Sequence, residues 1–101
     1  MTPALHLLQS SEFKPYTGED FSISFSATET VVATLRDVVD LPGHPHIERK
    51  PFSLLFETKQ KDHYYPQAIY SVKHPLHGNL EIFLVPMGFG AEGMQYEAVF
   101  S

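Results

Sequence analysis

The stretch that decides the fold is residues 67–100, QAIYSVKHPLHGNLEIFLVPMGFGAEGMQYEAVF. Apolar and polar residues alternate in three runs, residues 68–74, 80–86 and 94–100, as they do in strands with one buried face. The residues between these runs are rich in glycine, proline and asparagine, which are common in turns. The pattern predicts a β-meander of three antiparallel strands.

The first half of the chain adds further extended runs. In residues 21–26 aromatic and aliphatic side chains alternate with three serines, which predicts a strand with one solvated face. Residues 29–39 and 52–56 are rich in β-branched and aromatic side chains and predict two more strands. Pro15 would lie in the first turns of a helix and Gly18 could end it, so we expect one short helix within residues 10–17.

About six strands in a chain of 101 residues must curl around a shared core, because a single layer would be only marginally stable. The predicted class is mainly β, a small antiparallel barrel or a compact sandwich, formed by a single domain over residues 1–101. The run at residues 80–86 is apolar on both faces, which predicts a strand that lies centrally in the sheet or is covered twice. Residues 57–66 are polar and are interpreted as a long exposed loop.

Composition excludes several functional classes. The chain has no cysteine, so disulfides and thiol catalysis are absent. The net charge is −5 and the basic residues are scattered, which argues against binding to nucleic acid. No apolar run approaches the ~20 residues of a membrane helix, and the first residues do not resemble a signal peptide. The expected compartment is therefore the cytoplasm.

Residues 88–93, GFGAEG, match the G-x-G-x-x-G pattern of dinucleotide-binding loops. That motif works where its glycines lead from a strand into a helix whose N-terminus holds the pyrophosphate. Here the residues that follow have a strand pattern instead of a helical one. We therefore interpret the segment as a hairpin loop whose glycines supply positive φ angles.

The histidines are the next candidates for chemistry. His44 and His46 form one close pair and His74 and His77 another. Zinc sites use three or four rigidly held ligands, whereas these pairs lie in turns and no cysteine can join them. The four histidines are weak metal candidates, and no cofactor is expected. The chain also has no G-x-S-x-G elbow, so no catalytic residue is assigned and enzyme activity is not expected.

Three aromatic residues are candidates for contact with partners. Tyr64, Tyr65 and Phe89 lie in connections, where rigid aromatic side chains make good contacts. The alternative is that they fold over a barrel end as a plug. A free strand edge could also accept a partner's strand. The loops expected to carry contacts are residues 42–51, 57–66 and 87–93.

Several stretches resemble a known family. They are residues 52–56 (FSLLF), 70–75 (YSVKHP), 78–86 (GNLEIFLVP) and 93–100 (GMQYEAVF). With them the chain resembles a bacterial family of domains of unknown function of about this length. The family pattern also includes a stretch like Glu12-Phe13…Gly18…Phe21. This chain departs from it at Ala68, where a glycine is expected, and in the His-Pro loop.

The resemblance implies no activity. Members of that family are often encoded near phage tail-collar-like proteins, which implies a component or accessory of a tail-like assembly. Most matched residues are buried aromatics or turn glycines. The polar exceptions are His74, Tyr96 and Glu97, for which a shared hydrogen bond that pins the meander is the expected use.

The leading hypothesis is a non-enzymatic, β-barrel-like module that binds other protein chains, either tail-collar-like proteins or a second copy of itself. One alternative is a small-molecule binder with the barrel mouth as its pocket, rimmed by Tyr64, Tyr65, Tyr70 and histidines. The other is a metal-dependent enzyme that uses the histidines. Neither nucleic acid nor a membrane is an expected partner.

Overall fold

A computed structural model describes residues 8–42 and 50–100 of the chain. The helix expected within residues 10–17 is two consecutive 3₁₀ turns, Ser10–Glu12 and Lys14–Tyr16. Six strands follow, as the sequence predicts. They are β1 (Asp20–Ser24), β2 (Thr30–Asp40), β3 (Phe52–Thr58), β4 (Ala68–His74), β5 (Gly78–Phe89) and β6 (Met94–Phe100).

The strands form a closed barrel in the order β1-β2-β3-β6-β5-β4. Every neighbouring pair is antiparallel, and β1 closes the barrel by pairing with β4. The mainly β class and the predicted meander β4-β5-β6 are confirmed. Of the two architectures that the sequence left open, the structure has the barrel. Closure pairs both edges of the sheet, which an open sheet of this size could not do.

The strand directions give the barrel two distinct ends. At one end lie the 3₁₀ turns of residues 8–17 and the turn of residues 75–77, and we call it the N-segment end. At the other lie the connections of residues 25–29, 59–67 and 90–93, and we call it the loop end. The two ends are closed by different parts of the chain.

The interior of the barrel is filled by side chains that alternate inward along the strands. Phe21, Leu35, Leu54, Leu80 and Tyr96 are examples of fully buried side chains from five different strands. Aromatic rings contribute much of this core, and they meet mostly tilted or edge-on, as ring quadrupoles favour. Small barrels are usually filled in this way.

Of the two possibilities for β5, the structure has the central position between β4 and β6, without cover on both faces. Leu80, Ile82 and Leu84 are buried as expected, but Phe83 is half exposed and Val85 is only partly buried. No described element covers the outer face of β5, because each strand of a closed barrel has its inner face in the core and its outer face toward solvent. The apolar outer residues of β5 therefore remain on the surface.

The long exposed loop predicted for residues 57–66 begins later than expected. Glu57 and Thr58 belong to β3, and Gln60 is buried. Thr58 Oγ1 donates to Met94 O at 2.9 Å, and Met94 N donates to Gln60 O at 2.7 Å. These bonds join the polar segment to the start of β6 and give these buried groups partners, whereas the buried Nε2 of Gln60 has no hydrogen-bond partner among the described residues.

The glycine-rich connection has two different requirements for glycine. Gly88 has a φ of +136°, as predicted, and this conformation disfavours other residues. Gly90 and Gly93 do not have positive φ, so the prediction is wrong for them. A Cβ on Gly93 would lie 2.4 Å from Thr58 O. This glycine is therefore required by the close approach of two backbones.

Candidate interaction site at the loop end

The structure separates the three aromatic candidates. Tyr65 lies flat on Phe25, with ring centroids 4.7 Å apart and an interplanar angle of 4°. Its hydroxyl donates to the carboxylate of Glu29, and its ring meets Tyr70 edge-on. Tyr65 therefore closes the loop end of the barrel, which is the plug alternative considered above.

Tyr96 supports this plug from inside the barrel. Its hydroxyl donates to Gln60 Oε1 at 2.7 Å and accepts from Tyr65 N at 3.0 Å. Burial raises the pKa of Tyr96 far above its usual value, because an ionised phenolate would lose its hydration there. The hydroxyl therefore stays protonated and can keep both bonds.

We expect Tyr96→Phe to lower the free energy of unfolding by about 1–2 kcal/mol, because Tyr65 N would lose a partly buried acceptor. Denaturant unfolding followed by circular dichroism measures the change. Tyr64→Phe is the matched control, since Tyr64 lies on the surface, and we expect it to change little. Equal stability of Tyr96→Phe and wild type would contradict a supporting role for this hydroxyl.

Tyr64 and Phe89 are instead exposed contact residues, the other of the two roles that the sequence left open. They are 55% and 53% exposed, and their rings meet edge-on with centroids 6.3 Å apart. Because neither ring is needed to fill the core, both present apolar surface to the outside. They are the exposed aromatic pair of the loop end.

These two residues line a surface groove of about 330 Å³, which we call the loop-end groove. A second hollow of about 160 Å³ shares Phe89 with this groove. The groove is lined by Tyr64, Pro86, Met87, Gly88, Phe89 and Met94. The second hollow is lined by Lys61, Phe89 and residues 90–93.

The groove exists because β5 is longer than β4. The two strands pair from Gly78 to Leu84 of β5, so the last residues of β5 extend beyond β4. The register between β5 and β6 also shifts between Pro86 and Gly88, and Met87 at this irregularity is exposed. Bulges re-aim side chains in this way.

Met87 is a groove residue that lies within the expected contact loop 87–93 but was not singled out from the sequence. We predicted the strand to end at Pro86, because proline usually interrupts pairing. In the structure Pro86 stays opposite Tyr96 and the strand continues to Phe89. The available signal was the alternation of apolar Met87 and Phe89 with glycines, which continues the strand period.

An apolar stripe continues from the groove along the barrel. Ile69 of β4 and Phe83 of β5 are direct cross-strand partners, and both are exposed on the outer face. Cross-strand neighbours of this kind contact one another and so form a continuous surface. Phe83 and Met87 are on the same strand, so the stripe and the groove share β5.

Of the histidine candidates, His74 and His77 lie together, with ring centroids 4.7 Å apart. His44 and His46 lie outside the described residues, as does most of the 42–51 loop. His74 uses both ring nitrogens in bonds to backbone groups, and His77 Nε2 donates to the Glu12 carboxylate at 2.7 Å. Within residues 8–42 and 50–100, no three side chains of the types that bind metals are gathered at one point.

The hydrogen bond expected to join His74 and Tyr96 is not present. His74 is at the N-segment end and bonds there to Glu12 O, whereas the hydroxyl of Tyr96 bonds at the loop end. Each therefore secures a different end of the barrel.

None of the helical turns in the described ranges has the length and hydropathy of a membrane span.

Comparisons with known proteins give one match. A family model described as a domain of unknown function, DUF6916, matches residues 8–100. These residues include both ends of the barrel and the loop-end groove. No curated protein and no solved structure matches the chain.

Proposed function

The chain belongs to this DUF6916 family of domains of unknown function, and we propose that it is a non-enzymatic module that holds another protein chain in the loop-end groove. The observation that carries the proposal is the exposure of Tyr64, Met87 and Phe89 around one groove. Aromatic and methionine side chains are enriched where proteins bind each other. Here they stand beside the end of a barrel strand, which holds them in place before a partner arrives.

The shape of the groove favours an extended segment of a partner. Residues 78–84 of β5 pair with β4 along one edge of the strand. Along the same edge, the residues from Val85 to Phe89 have no neighbouring strand among the described ones. An extended peptide can pair with such an edge and place alternate side chains into the adjacent groove. The bound segment is proposed to lie along β5 with an apolar side chain against Phe89.

Because the interior of the barrel is filled, a partner has to bind on its outer surface. Core side chains fill the interior, and Tyr65 and Phe25 stack across the loop end of the barrel. The mouth that would have admitted a small molecule is thus occupied by the protein's own rings. The proposed binding surface is the groove outside the barrel.

For the partner we propose a protein of a phage-tail-like assembly, either a tail-collar-like protein or a second copy of this chain, met in the cytoplasm. Support comes from the sequence stretches that resemble the family encoded near such proteins. A groove lined mainly by apolar side chains suits subunits that remain assembled, because their contacts are more apolar than those of transient complexes.

The test is affinity for a tail-collar-like protein encoded beside this chain and for the chain itself. We expect Phe89→Ser to weaken the complex at least about tenfold, because a central aromatic anchor is commonly a hot spot. Val32→Ser is the matched control, since Val32 is 56% exposed on β2, opposite β5 in the barrel order. Sedimentation of each variant, alone and mixed, measures both kinds of association.

A photo-crosslinking residue at position 89 adds a positional readout. Crosslinks from position 89 to one segment of the partner, absent from position 32, are the expected result. Equal weakening by Phe89→Ser and Val32→Ser would contradict the groove as the binding site. Complete absence of association with either protein would contradict the proposed partners.

A further inference from the structure

His74 lies under the N-terminal segment at the end of the barrel opposite the groove. It is the last residue of β4 and is 1% exposed. Its Nε2 bonds to Glu12 O at 2.7 Å. Its Nδ1 accepts the backbone N–H groups of Leu76 and His77 at 3.0 and 3.2 Å. One ring thus joins the N-terminal segment to the turn between β4 and β5.

These bonds determine the protonation state of the ring. A backbone N–H can only donate, so Nδ1 must be unprotonated, and a backbone carbonyl can only accept, so Nε2 must carry the hydrogen. His74 is therefore neutral when the segment is docked. A proton added at Nδ1 would remove the acceptor of both turn amides and place a positive charge next to their N–H groups.

The surroundings offer this charge little compensation. The rings of Phe13, Tyr16 and Phe21 pack edge-on around His74, with centroids 5.0–5.9 Å away. Among the described residues, the titratable groups that face it are Glu12 and Tyr16 of the N-terminal segment and His77 of its own turn. The carboxylate of Glu12 already accepts from His77 Nε2 at 2.7 Å, so it is engaged by the neighbouring ring.

We propose that His74 is a proton-sensitive latch: protonation at Nδ1 releases residues 8–17 from the N-segment end of the barrel. Phe13 is the residue that the latch holds in place, since its ring contacts both Phe52 and Phe100. Release uncovers these two core rings. Gly18 remains attached, because its N–H donates to Leu35 O at 2.7 Å, and it serves as the hinge.

The direction of the pH effect follows from burial. Burial lowers the pKa of His74 below its ordinary 6.5, opposed in part by its bond to Glu12. The released or unfolded state binds the proton more readily, so the stabilisation from docking is fully present above about pH 6.5 and declines as the pH falls toward the lowered pKa. His63 has the opposite dependence, because its bond to Asp62 raises its pKa.

Two carboxylates also make pH-dependent contributions to stability, but these change at lower pH values. The pKa of Asp40 is lowered from 3.8 by its bond to Lys14 of the N-terminal segment, and the pKa of Asp62 is lowered from 3.8 by His63. Their contributions are present above about pH 3.8 and are lost only below it. The latch transition can therefore be observed separately from theirs.

Nuclear magnetic resonance on the full chain tests the latch between about pH 7.5 and pH 4.5, the range in which histidine titrates. The ring nitrogens of His74 report protonation, and the backbone amides of Phe13, Leu76 and His77 report docking. We expect these amides to lose at least about tenfold in protection, corrected for intrinsic exchange, as His74 becomes charged. Amides of β3 and β6 should remain protected in the same range.

Two variants separate His74 from its neighbour. His74→Asn keeps an acceptor near the turn amides but cannot titrate, so the acid transition should disappear, whereas His77→Gln keeps a donor to Glu12 and should retain it. Loss of the transition in His77→Gln would overturn the proposal. If His74→Asn does not fold, the titration of the wild-type protein still tests whether protonation of His74 and release of the segment occur together. Protonation of His74 with the segment docked, or release with His74 neutral, would overturn the latch.

Discussion

A chain that ends at Ala98 is expected to lose about 3–5 kcal/mol of its free energy of unfolding, as when a buried aromatic residue is deleted. Phe100 is buried and stacks on Phe52 with centroids 4.6 Å apart and rings nearly parallel. It also packs against Phe13. The truncation further removes the pairing of Val99 and Phe100 with β3.

Chemical denaturation of the truncated chain measures this loss, and an unfolded or insoluble product is also consistent with it. Val99→Ser is the matched control, because Val99 is on the same strand but 58% exposed, and its stability should change by less than about 0.5 kcal/mol. A cooperative, wild-type-like unfolding transition of the truncated chain would contradict the position of Phe100 in the core.

Gly93→Ala is expected to lower the free energy of unfolding by about 3 kcal/mol, the upper end of the usual cost of overpacking. The added Cβ would lie 2.4 Å from Thr58 O and 2.7 Å from Gln60 N. Both are backbone atoms, so no change of rotamer can relieve the contacts. The strand segments must separate, which would weaken the bond from Met94 N to Gln60 O.

Gly90→Ala is the informative comparison, because it adds the same methyl group three residues earlier. Its Cβ would meet the ends of the Glu57 and Gln95 side chains, which can rotate away at lower cost. Thermal or denaturant unfolding of both variants should rank Gly93→Ala as clearly less stable. Equal stability of the two would mean that the close backbone approach at Gly93 is not required.

Local patterns in the sequence predicted most of the strands correctly. The alternation in β4 and β6 identified which residues are buried, including Tyr70, Val72 and Tyr96. The turn between β4 and β5 was identified because Gly78, with a φ of +75°, follows a proline-containing segment. These features depend on neighbouring residues, so a single chain read locally is enough to predict them.

The candidate site was predicted only in part. Tyr64 and Tyr65 are adjacent in one connection and Phe89 was predicted in another, yet Tyr65 is a plug and the other two are exposed. The difference depends on Phe25 and Glu29, which are about forty residues away in the chain and bind Tyr65. No periodicity within residues 57–66 carries that information.

The sequence by itself determined that this chain forms about six antiparallel strands with apolar inner faces, because strand period and turn chemistry are local properties. Only the tertiary structure decided that the sheet closes, that β5 extends past β4 to form a groove, and that His74 is buried under residues 8–17. These outcomes depend on register and on contacts between residues far apart in the chain. Such contacts form only when the barrel closes.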